Sequence, residues 1–83
     1  MSRPALTGRV VVVTGADRPE GAAAARALAR AGAAVVCSGA DERSLGDLAR
    51  SLTNDGNRAA FFVGDPADPA LVELVAELFA TAD

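Results

Sequence analysis

The residues with the most chemical potential lie in one short segment, Thr14-Gly-Ala-Asp-Arg-Pro-Glu-Gly21. It follows the apolar run Val10–Val13 and precedes an alanine-rich stretch. A buried strand that enters a glycine turn and leaves as a helix aims backbone N–H groups and the positive helix end at one point. That arrangement binds anions, phosphate above all. Gly15 and Gly21 alone carry limited information. The general dinucleotide pattern Gly-x-Gly-x-x-Gly is absent, and so is a phosphate loop ending in Gly-Lys-Ser/Thr. Spacing therefore leaves two readings open, a nucleotide site and a plain strand–turn–helix junction.

The rest of the inventory is poor in proton-transfer groups. The 83 residues contain no His, Trp or Tyr, and all eight basic residues are Arg, so Lys is missing too. This excludes His-based acid–base catalysis, His-ligated metal and Schiff-base chemistry. The single Cys37 can form neither an internal disulfide nor a multi-Cys metal site, and in an apolar run it is expected to be buried and inert. A net charge of −3 argues against bulk attraction to nucleic acid or anionic membrane. No apolar stretch approaches the roughly 20 residues of a spanning helix, and none reads as a signal peptide, so a cytoplasmic setting is expected.

The elements that must position the segment alternate in type. Arg9–Val13 is a β-branched run suited to a strand buried on both faces. Pro19 to Ala31 reads as a helix, with Pro19 in its first turn, Asp17 and Glu20 at capping-box spacing, and Gly32 as its stop. Ala34–Ser38 is a second strand. Asp41–Leu52 is a second helix, capped by Asp41 and apolar at Leu45, Leu48, Ala49 and Leu52. Thr53–Asn57 is a turn and Ala59–Val63 a third strand. Asp68 caps a third helix that starts at Pro69. Its stripe is Leu71, Val72, Leu74, Val75, Leu78 and Phe79, with Glu73 and Glu77 opposite. The order βαβαβα predicts an α/β fold, one half of a doubly wound parallel sheet of the Rossmann type, in a single partial domain over 1–83.

In this register the chain resembles the short-chain dehydrogenase/reductases. It has Leu6, Gly8, Val10–Val13, Thr14-Gly15 and Gly21, then Ala25, Leu28-Ala29 and Gly32-Ala33 before Val35-Val36. Asp65-Pro-Ala-Asp68 stands where the family commonly has an Asp at the third strand's end and another three residues on. The resemblance implies an NAD(P)-binding portion of an oxidoreductase that moves hydride between NADP(H) or NAD(H) and a carbonyl or alcohol. It implies that Thr14 and Gly15 shape the turn and that Gly21 lets the first helix approach cofactor and sheet. Asp65 would accept from the adenine amino group. Arg18 would pair with the 2′-phosphate of NADP. Gly39 stands where NAD-preferring members often carry Asp, which together with Arg18 leans toward NADP. The family's second basic position is Ala40 here. Ser38 is a candidate for ribose or phosphate contact, with local backbone satisfaction as the alternative. Asp65 and Arg18 have plainer readings as a turn residue and a solvated loop residue.

Two departures stand in the loop. Pro19 occupies the place of the family's second motif glycine and offers no N–H. Glu20 replaces an apolar residue whose backbone N–H faces the pyrophosphate. A like-charge contact at about 5 Å costs on the order of 3 kcal/mol at an effective dielectric of 20, so weakened affinity is expected. The family's catalytic Ser and Tyr-x-x-x-Lys belong to its second half, and with no Tyr or Lys the chain is expected to be a fragment, catalytically incompetent alone. Two alternatives remain: a stand-alone nucleotide-binding or regulatory module, and a structural or interaction domain that has lost the cofactor. The first strand, without a fourth beside it, is expected to leave an open apolar edge for a homodimer or a complementing partner chain.

Overall fold

The computed structural model describes residues 4–81, except the side chains of Phe79 and Thr81. The order is β1 (Val10–Val13), α1 (Pro19–Arg30), β2 (Ala34–Gly39), α2 (Glu42–Asn54), β3 (Ala59–Val63) and α3 (Pro69–Thr81). The strands form one parallel sheet in the order β1-β2-β3. Val11 pairs with Val35, and Val35 with Ala59, so these residues share a face.

That face carries the main core. Val13, Val35 and Cys37 pack with Ala25 and Ala29 of α1 and with Leu45, Leu48 and Leu52 of α2. The alanines of α1 hold that helix close to the strands. α3 packs against β1 and β2 and buries Leu71. β2 is covered on both faces, and Val35, Val36 and Cys37 are fully buried. β1 pairs only with β2, so its valines are partly exposed up to Val13. The run is therefore an edge strand, packed by α1 and α3 but with no strand on its other side among the described residues, the open edge expected from the sequence.

The helix ends follow their residues. Gly32 has φ +102, and the N–H groups of Ala33 and Gly32 donate to the carbonyls of Leu28 and Ala29. Gly56 has φ +90, with Asn57 and Gly56 donating to Leu52 and Thr53. Both closures need a left-handed residue, which glycine adopts without penalty. α2 therefore runs to Asn54, two residues beyond the predicted end. Asp41 caps α2 through the Arg43 N–H, and Asp68 accepts from the Ala70 N–H at 2.9 Å, both as expected.

Two expectations fail. The residue before α1 is Arg18, with no side-chain cap, so no capping box forms between Asp17 and Glu20. In α3, Val72 is 66 % exposed, because the helix lies on the sheet along Leu71 and leaves its neighbour outside. The predicted place of Phe79 in that stripe lies outside the described side chains. No helix among the described residues is long and apolar enough to cross a membrane.

Candidate functional site

The loop from Thr14 to Arg18 caps the carboxyl ends of β1 and β2. The Ala16 N–H donates to the Ser38 carbonyl at 3.0 Å, which binds the loop to β2. Gly15 has φ +65, and the Arg18 N–H donates back to its carbonyl at 3.0 Å. This tight turn feeds directly into α1. Gly21 is buried in the first turn of that helix. A Cβ there would overlap the Gly15 carbonyl oxygen and lie 2.9 Å from the Ala16 Cα. Only glycine allows the helix this close to the loop.

The amino end of α1 keeps its donors. The first helical bond runs from the Ala22 N–H to the Arg18 carbonyl at 2.9 Å. Pro19 has no N–H to offer. The N–H groups of Glu20 and Gly21 lie too early for an intrahelical acceptor, and no side chain among the described residues caps them. Two donors with no partner among the described residues, together with the helix dipole, therefore lie beside the strand ends, a donor set that fits an anion.

Asp17 takes a part that the sequence did not reveal. Its Oδ2 accepts from the N–H groups of both Ala40 and Asp41, each at 2.9 Å. Its Oδ1 is turned to Gly39, where a Cβ would lie 2.6 Å away. The Asp41 and Ala40 N–H groups hold its carboxyl below the usual 3.8. The loop after β1 is thus tied to the loop after β2. The nearest sequence signal was a bare Gly39, with an Asp in the preceding loop able to fill the space.

The other predicted residues divide. Thr14, Arg18 and Glu20 are exposed around the turn. The Arg18 side chain makes no hydrogen bond or ion pair among the described residues, and it helps to lower Asp17. The Gly64 N–H donates to the Gly39 carbonyl, which aligns the ends of β2 and β3 and carries Asp65 to the same side. Asp65 Oδ1 accepts from the Ala67 N–H at 2.9 Å, a turn bond that occupies one of its two oxygens. Ser38 does not join the group. It is buried, and its hydroxyl donates to the Val13 carbonyl at 3.3 Å. Cys37 is buried, and desolvation raises its thiol to about 11, which leaves no thiolate at neutral pH.

A parallel β-α-β unit whose first turn presents free N–H groups defines the class of Rossmann-like, dinucleotide-type sheets. Comparison with known proteins makes this specific. Residues 9–81 match the short chain dehydrogenase family, and the chain belongs to it. It is 42 % identical over 83 residues to a cis-4-hydroxycyclohexanecarboxylate dehydrogenase of Sinomonas cyclohexanicum, covering 95 % of this chain and 33 % of that protein. A short chain dehydrogenase from Mycobacterium smegmatis superposes with a TM-score of 0.79 at 32 % identity, over 93 % of this chain and 35 % of that one. A metagenomic short-chain oxidoreductase in complex with NADP gives 0.72 at 35 % identity, with the same coverage. The chain thus spans about a third of the length of these relatives.

Proposed function

We propose that this chain is the part of a short chain dehydrogenase that holds the adenosine and pyrophosphate of a nicotinamide dinucleotide. The observation that carries this reading is the uncapped amino end of α1, closed by Gly21 onto the Gly15 turn at the carboxyl ends of the strands. The N–H groups of Glu20 and Gly21 would face the pyrophosphate, with Thr14 and Gly15 shaping the turn beside it. Gly39 and Asp65 would flank the adenosine, and Arg18 is a cation within reach of a 2′-phosphate. The bound dinucleotide would supply or accept hydride at a carbonyl or alcohol. The chain has no Tyr and no Lys, so it is incompetent alone in the proton transfer that accompanies this step. A cytoplasmic setting suits such a cofactor.

Calorimetric titration of the full chain with NADH and NADPH tests the reading. Binding is expected, weakened by Pro19 and Glu20. The double variant Pro19→Gly, Glu20→Ile restores an N–H and removes a carboxylate, and it should tighten binding by about tenfold, or ~1.4 kcal/mol. The same two residues favour a second reading, a structural or interaction domain that has lost the cofactor. No heat with either nucleotide at millimolar concentration, in both proteins, would select that one.

A further inference from the structure

β2 ends in Gly39, so no acid stands in line with that strand. In dinucleotide-binding sheets the adenosine ribose lies beyond this strand end, and an acid there accepts from its 2′-hydroxyl. The fold delivers a carboxylate to this place from another element. Asp17, in the loop after β1, lies against Gly39 and accepts from the N–H groups of Ala40 and Asp41 at 2.9 Å. We propose that Asp17 is the residue that sets the cofactor preference, selecting the free ribose 2′-hydroxyl of NAD over the 2′-phosphate of NADP.

Two effects act together. An ionised carboxylate repels a phosphate brought beside it, while its remaining lone pairs can accept from a hydroxyl. The Ala40 and Asp41 N–H groups, the backbone donors a 2′-phosphate would call on at this strand end, are already satisfied by Asp17. Arg18 acts in the opposite sense, but it is exposed and held by no bond among the described residues. The carboxylate is fixed in place and the guanidinium is not, so the carboxylate decides.

This inference rests on the dinucleotide reading above, and the two fail differently. The full chain is titrated by calorimetry with 5′-AMP and with adenosine 2′,5′-bisphosphate, which probe the adenosine end alone. The wild type should bind AMP more tightly than the bisphosphate by about tenfold or more. Asp17→Asn and Asp17→Ser should move that ratio toward the bisphosphate by at least about tenfold. Tighter binding of the bisphosphate by the wild type overturns the proposal without any variant. Equal effects of the Asp17 variants on both ligands also overturn it and leave Asp17 as a structural tie. Absence of binding by either nucleotide removes the dinucleotide reading, and this proposal with it.

Discussion

At the scale of single residues, Asp17 joins stability to recognition. Its carboxyl is held below the usual value by N–H groups that prefer the ionised form. A group depressed in the folded state stabilises it above the unfolded value, here near 3.8, and loses that contribution as pH falls through the lower folded value. Asp17→Asn removes the titrating group. Urea unfolding at neutral pH and at about pH 3 should show a smaller acid loss in the variant than in the wild type. Equal acid losses would mean that ionisation of Asp17 adds nothing to the stability of the folded state. Pro19 and Glu20 are the other informative pair. Both suit a helix start, yet each takes something from an anion site, an N–H in one case and neutrality in the other.

At the scale of elements, helix faces decide what each side chain is worth. α2 sets Leu45, fully buried, against the sheet, while α3 leaves Val72 66 % exposed. Leu45→Ala should cost about 2–5 kcal/mol, the sum of lost transfer energy and a residual cavity. Val72→Ser should stay within roughly 0.5 kcal/mol, as for an isolated surface position. Denaturant midpoints at constant slope check both, and a large loss at Val72 would mean that this face is covered. Periodicity made the helices readable, because a 3.6-residue repeat is a property of neighbouring residues. It misplaced the end of α2. Thr53 and Asn54 belong to a turn-rich cluster, but the chain leaves the helix only where Gly56 can take a positive φ. It also counted Val72 into a stripe whose width depends on how α3 lies on the sheet.

At the scale of the whole molecule, β1 is the edge of the sheet, and its backbone groups on one side lack a strand partner among the described residues. Its valines are partly exposed there. Unpaired apolar edges recruit further strands. The chain alone should self-associate at micromolar concentration in sedimentation velocity. Val12→Lys should shift it toward monomer by charging that strand. A monodisperse wild-type monomer that unfolds cooperatively would count against the edge as an association surface.

The strand and helix order, the match to the short chain dehydrogenases over residues 9–81, and the absence of Tyr and Lys are all legible in the chain itself. They depend on local periodicity, on punctuation by Gly and Pro, and on residue identity, none of which needs a partner distant in sequence. The turn glycines belong here as well, since Gly15 and Gly21 are placed by the strand–turn–helix they join. Tertiary structure alone settled where two polar side chains go. Ser38, a candidate for ligand contact, turns inward to the Val13 carbonyl, 25 residues away. Asp17, read as a helix cap, reaches Ala40 and Asp41 instead. Parallel pairing of β1 with β2 brings these loops together. A carboxylate then chooses among all the N–H groups within reach in space, and here it is held by two on the neighbouring strand's loop and by none on its own helix.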